Sequence, residues 1–223
     1  MMNLDLLFTV SKLTNDDKYK NIAITHANTT MNNHFRPDYT SWHVVSYNND
    51  GTVERKQTWQ GKNDDSAWSR GQGWGVYGYT ACFRETKDST YLEFARNIAD
   101  MIMSRVKTDD AIPYWDYMAP VTPETPRDAS AAAVTASALL ELSTFVADGQ
   151  KYFDYAEKIL KSLSSDAYLA KPGTNGGFIL MHSTGSLPNG SEIDVPLNYA
   201  DYYYLEALKR YMDLKHISYK DLK

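Results

Sequence analysis

Residues 66–86 read Ser-Ala-Trp-Ser-Arg-Gly-Gln-Gly-Trp-Gly-Val-Tyr-Gly-Tyr-Thr-Ala-Cys-Phe-Arg-Glu-Thr, and the glycines in this run decide the fold class. Gly71, Gly73, Gly75 and Gly78 would suggest a dinucleotide fingerprint only if a β-branched strand ran into them, and none does. Gly71, Gly75 and Gly78 instead keep helical spacing, so the stretch reads as a helix over 66–86 on which another helix can approach closely, capped by Asp65 or Ser66. Apolar residues at three-and-four spacing predict further helices over 1–13, 16–33, 89–106, 129–147, 150–164 and 198–213. Asp16 or Asp17, Ser89, and Asp128 or Ser130 are the expected caps of the second, fourth and fifth helices. The helices recur in pairs joined by short turns. Between pairs run longer connectors, 34–65, 107–128 and 165–197, rich in Gly, Pro, Asn, Asp and Ser, with a hairpin signal where Trp42-His-Val-Val-Ser-Tyr meets Asn48-Asn-Asp-Gly. Such alternation predicts an all-α fold, an α/α toroid whose long loops build a cleft at one rim. The segment 215–223 is polar enough to fray.

At 223 residues, 43% hydrophobic and a formal charge of −5, the chain reads as one globular domain, undivided over 1–223. Its acidic balance, without a basic stripe, argues against nucleic acid as a partner. No apolar run approaches the ~20 residues of a membrane helix. Cys82 is the single cysteine, which excludes internal disulfides and thiolate metal clusters and suits a small buried hydrophobe. His26, His34, His43, His182 and His216 form no zinc-protease pair, and no phosphate loop follows a strand; neither a metal nor a cofactor is expected. Asp5 within Met1-Met-Asn-Leu-Asp-Leu-Leu-Phe, with no basic residue before it, does not read as a signal peptide, which leaves cytoplasm and periplasm both open. The run begins in mid-pattern, as though inside a helix.

Chemistry-bearing residues concentrate between Asp64 and Trp74: two indoles, a guanidinium, an amide and two carboxylates. An ordinary amphipathic helix start with an acidic cap has the same ingredients. As a site, Arg70 and Trp74 stand four apart on one helix face, so the cation can lie against the indole with its fork pointing outward. Indole faces pack on sugar C–H surfaces and arginine grips carboxylates, so the simplest ligand satisfying both is a uronic acid. All five tryptophans, Trp42, Trp59, Trp68, Trp74 and Trp115, fall between positions 42 and 115 and gather around something. Nearby are His43, Gln60 and the run Ile112-Pro-Tyr-Trp-Asp-Tyr-Met. Taken singly these are equally structural: a histidine beside a tryptophan is commonly a satisfied structural residue, and Tyr114-Trp115 can fill a core.

Together these stretches resemble the unsaturated glucuronyl hydrolases of glycoside hydrolase family 88. The resemblance is carried in order by Met1-Met-Asn-Leu-Asp-Leu-Leu, His26-Ala-Asn-Thr-Thr, Arg36-Pro-Asp with Trp42-His43, Thr58-Trp-Gln-Gly, Trp68-Ser-Arg-Gly-Gln-Gly-Trp-Gly-Val-Tyr-Gly, Pro113-Tyr-Trp-Asp, Arg127-Asp-Ala-Ser-Ala-Ala and Tyr199-Ala-Asp-Tyr-Tyr-Tyr-Leu-Glu-Ala-Leu. It implies an (α/α)₆ six-hairpin toroid, incomplete at the N-terminus with about seven helices present, that hydrates the Δ4,5-unsaturated uronic acid at the non-reducing end of lyase-generated oligosaccharides. It implies that His43 and Gln60 reach the uronic acid or the attacking water, that Arg70 holds the carboxylate, and that Trp68 and Trp74 shape the sugar platform. The family's acid/base aspartate falls upstream of Met1, so the catalytic residue is unknown within this chain; Asp5, Asp64 and Asp65 do not replace it on residue type alone. Trp59 stands where a relative carries histidine. The loop from Ser183 to Asn198 falls where the family reads sulfation or the neighbouring sugar. A noncatalytic glycan-binding remnant and an unsaturated rhamnogalacturonyl hydrolase are the alternative readings. An open toroid would expose apolar faces, beginning with Met1, Leu4 and Phe8, and self-associate through them.

Overall fold

The computed structural model describes residues 1–218 and 220, so the fraying expected over 215–223 lies partly outside the described residues. Seven α-helices form among them: α1 (Leu4–Thr14), α2 (Asp17–His34), α3 (Ser69–Thr86), α4 (Ser89–Arg105), α5 (Ala129–Ser143), α6 (Gln150–Leu163) and α7 (Asn198–Lys215). One antiparallel hairpin, β1 (Val44–Tyr47) and β2 (Val53–Gln57), fills the expected position between α2 and α3. The odd-numbered helices pack side by side, α1 on α3, α3 on α5 and α5 on α7, while α2, α4 and α6 each back the helix before them. This alternation of inner and outer helices is the α/α hairpin arrangement predicted from the connector lengths. No described helix is long and apolar enough to cross a membrane.

α5 sits at the middle of the inner row because its residues are small. Ala129 through Leu140 is buried on every face, and the alanines let α3, α6 and α7 all come close. On α3 the glycine that admits α5 is Gly73, where a methyl would meet Thr135 and the Ala131 carbonyl at 3.2–3.4 Å. Of the three glycines expected to admit a helix, Gly75 seats the Phe35 ring and Ile98 of α4, Gly78 seats Met1, and Gly71 holds its own Trp68 ring. A charged seam then ties the inner row together: Arg84 on α3 pairs with Asp5 on α1 and Glu141 on α5, and Arg210 on α7 pairs with Glu141 and Glu206.

Local chemistry explains where the helix ends differ from expectation. α3 starts at Ser69 because the Ser66 hydroxyl is spent on Asn63 and Asp116 instead of capping. Asp88, not Ser89, caps α4, accepting from the Thr90 amide. α5 stops at Ser143, four residues early, because the Ser143 and Thr144 hydroxyls bond back to the Leu140 and Glu141 carbonyls and turn the chain. Leu4 and Phe8, expected to stand open, are buried against the core; α1 exposes Leu6 and Leu13 instead, the side of the helix turned away from α3.

In the turn between α5 and α6 the chain passes close to itself, since a Cβ on Gly149 would stand 2.0 Å from the Ser143 carbonyl oxygen. Backbone cannot give way as a side chain does. Gly149→Ala is therefore expected to lower stability by about 1–3 kcal/mol, read as a shift in the urea midpoint at unchanged slope.

Candidate functional site

A cleft of about 570 Å³ opens between α2, the base of the hairpin, α3 and the start of α7. His43, Gln60, Trp68, Arg70 and Trp74, which the sequence places on three separate segments, all line it. Around them stand His26, Thr30 and His34 from α2, with Ser41, Trp42 and Tyr199. The indoles do gather here: Trp42, Trp68 and Trp74 face the cleft and Trp115 packs behind Trp68 in a small satellite cluster. Trp59 stands exposed beside Gln60 and does not line the cleft.

Arg70 does not present its fork outward as the helix spacing suggested. The side chain is buried at 2% exposure, its Nη1 donating to Asp128 at 2.6 Å, Ser130 Oγ at 3.1 Å and the Thr184 carbonyl at 2.7 Å, and its Nη2 to the Gly185 carbonyl at 2.9 Å. The i to i+4 rule places Arg70 and Trp74 on one face but leaves the guanidinium free to choose, and a buried carboxylate with two loop carbonyls wins. Its plane accordingly lies 4.4 Å over Trp68 and 5.2 Å from Tyr199, whereas Trp74 meets Tyr203 edge-on at 5.0 Å. Asp128, which the sequence offered as a cap, performs both jobs: Oδ1 accepts from the Ser130 and Ala131 amides at the start of α5, and Oδ2 holds Arg70. Through Arg70 this carboxylate ties the Thr184 and Gly185 carbonyls of the long loop to α3.

His43 has a defined tautomer. Its Nδ1 accepts from the amides of both Trp59 and Gln60, each at 3.1 Å, so the neutral ring carries its proton on Nε2. Burial, and then the Arg70 charge, push the imidazole down to about 4, which keeps it neutral at ordinary pH. The ring stacks on Trp68 at 4.4 Å. Gln60 donates Nε2 to the Gly185 carbonyl, which leaves its Oε1 as an acceptor. Burial also pushes His34 down to about 4, with positive neighbours, His26 first, adding to it, and pushes the Tyr199 hydroxyl up to about 12. The cleft is thus a wall of neutral donors, acceptors and aromatic faces around one internally compensated cation. Among the described residues no Asp or Glu lines it, and no cluster of three His, Cys, Asp or Glu side chains could hold a metal.

Asp64 and Asp65 lie outside this wall, Asp64 accepting from the Thr58 amide and Arg55. Sequence reasoning missed Thr30, Tyr199 and the two α2 histidines. Their signal was present: His26, Thr30 and His34 are spaced four apart and share one helix face.

Inner and outer helices in alternation beside an aromatic, imidazole-lined cleft define an α/α-toroid class, and the relatives agree in fold. The profile of Glycosyl Hydrolase Family 88 matches residues 1–214, and the chain belongs to that family. It is 48% identical over 96% of its length to an unsaturated glucuronyl hydrolase from Formosa agariphila. A crystal structure of an unsaturated glucuronyl hydrolase specific for heparin superposes with a TM-score of 0.94 at 57% identity, covering 96% of this chain and 58% of that one. A variant of the Streptococcus agalactiae unsaturated glucuronyl hydrolase, complexed with dGlcA-GalNAc6S, superposes at 0.84 with 31% identity over 95% of this chain and 57% of that one. The chain spans about half the length of the curated relatives it matches, 54% in the Formosa case.

Proposed function

We propose that these residues form the recognition wall of an unsaturated glucuronyl hydrolase, binding the Δ4,5-unsaturated uronic acid at the non-reducing end of an oligosaccharide. The observation that carries this reading is convergence: His43, Gln60, Trp68, Arg70 and Trp74 come from a strand start, a loop and a helix, and all five line one cleft. In the reaction, a proton is added at C4 of the vinyl ether and water at C5; the hemiketal so formed opens and releases the remaining sugar. Within this scheme the His43 Nε2–H donates to the uronic acid or to the water, and Gln60 Oε1 accepts. Trp68 and Trp74 supply the flat apolar walls. Arg70 acts from behind Trp68, holding the loop carbonyls in place.

The proton donor at C4 needs a carboxyl group able to keep its proton near working pH, and none among the described residues lines the cleft. That observation favours a second reading for the residues described, a binding wall without chemistry of its own. Both readings expect the 223-residue chain to bind an unsaturated chondroitin disaccharide by calorimetry, and His43→Ala to weaken it. The chain should not catalyse steady loss of the conjugated double bond's absorbance. Steady turnover abolished by Asp64→Asn or Asp65→Asn would transfer the acid to the 58–66 loop and overturn the binding-wall reading.

A further inference from the structure

Trp59 is the one indole of the five that is exposed, at 68%, although it neighbours a cleft-lining residue on each side of its contacts: Gln60 follows it in sequence and His43 takes its amide. An exposed indole beside a cleft offers a flat apolar face on which a ligand ring can stack. The backbone beneath it is fixed. The Thr58 amide donates to Asp64 at 2.9 Å, the Thr58 hydroxyl accepts from the Gly61 amide at 2.8 Å, and the Trp59 carbonyl accepts from Asn189 Nδ2 at 3.2 Å. Asn189 is itself held on Ser186 Oγ at 2.7 Å, so the 186–191 turn and the 58–61 turn form one rim. The residue is therefore a flat apolar plate on a hydrogen-bonded turn, next in sequence to the cleft-lining Gln60.

We propose that Trp59 is the stacking platform for the saccharide unit linked to the unsaturated uronic acid, and so a specificity-determining residue for the leaving sugar. The proposal rests on the recognition reading above and adds a second binding position to it. Asp64 bonds to this rim only through the Thr58 amide, and what Trp59 itself offers is an indole face, so this position selects for ring shape and an apolar C–H face. Stacking of this kind costs little entropy, because an anchored tryptophan has two side-chain torsions to order.

The test compares two ligands on the 223-residue chain by titration calorimetry: an unsaturated uronyl disaccharide and the methyl glycoside of the same unsaturated uronic acid. Trp59→Ala should weaken the disaccharide about tenfold and leave the methyl glycoside within about twofold, whereas Trp59→Phe should retain part of the disaccharide affinity. Both variants keep the backbone bonds of the rim, and neither touches the core. Quenching of indole fluorescence by the disaccharide should shrink in both variants. Equal disaccharide affinity for the parent and Trp59→Ala would overturn the platform while leaving the recognition wall standing. An equal loss for both ligands would overturn it too, by making Trp59 a support for His43. Failure of the parent to bind either ligand would remove the recognition reading and the platform with it.

Discussion

Asp128→Ala is expected to destabilise the chain by about 3–5 kcal/mol, because it strands a buried guanidinium and uncaps a central helix in one step. Asp128 and Arg70 have side-chain exposures of 0% and 3%, so neither charge has water as an alternative partner. Their attraction is offset by desolvation, which is why forming the pair contributes less than breaking it costs. The cap adds to the loss, since the Ser130 and Ala131 amides at the start of α5 go unmet. Asp128→Asn divides the two effects: its side-chain oxygen still accepts from those amides, while the charge opposite Arg70 is gone. Urea unfolding should rank the parent above Asp128→Asn and Asp128→Ala last. Arg70→Met in the Asp128→Ala background should recover part of the deficit by removing the stranded charge. A midpoint for Asp128→Ala within error of the parent would mean that Arg70 finds sufficient partners in Ser130, Thr184 and Gly185 alone.

This hub also marks where sequence reading reached its limit. The helix pattern was legible because each amphipathic or alanine-rich run has one solution at a period of 3.6, and connector length then set which helices neighbour each other. The five cleft residues were legible as residue types in a recurring order of motifs. What spacing could not supply was the direction of a long side chain. Arg70 and Trp74 share a helix face in any helix, yet the guanidinium bends toward α5 because Asp128, 58 residues later, and the carbonyls of 184 and 185 converge there. A partner so distant in sequence leaves no periodic signal. The α2 face of His26, Thr30 and His34 was legible in principle, but a polar stripe on a helix is ordinarily its solvent side, and only the fold turns this one toward the cleft. Cap choices were misread for a related reason: Ser66 has the right type for a cap, and a buried carboxylate, Asp116, competes for its hydroxyl.

Acid should destabilise the chain well before its carboxylates titrate. His34 and His43 are held at about 4 in the fold and return to about 6.5 on unfolding. Between those values the unfolded chain takes up protons that the folded chain refuses, so the unfolding free energy rises with pH through the window and levels off above it. The contribution is fully present above 6.5 and is lost as pH falls toward 4. A tenfold difference in proton affinity between folded and unfolded chain is worth about 1.4 kcal/mol, and both residues are only half-buried, so the pair together should account for about 2–4 kcal/mol. Carboxylates pushed down by their partners, such as Glu157 to about 2, act below this window and leave a separate, more acidic limb. A His34→Leu, His43→Gln double variant should flatten the slope between about 4 and 6.5 while keeping that lower limb. A glutamine in place of His43 carries its acceptor oxygen one bond further out than Nδ1 and meets the Trp59 and Gln60 amides less well, but that loss is the same at every pH and moves the whole curve without tilting it. Nitrogen-15 spectra give the direct check: His43 should show an unprotonated Nδ1, a protonated Nε2 and a midpoint near 4. A midpoint at the ordinary 6.5 would mean that the ring is neither buried nor set beside the Arg70 charge as described, and that the neutral-donor role assigned to it fails.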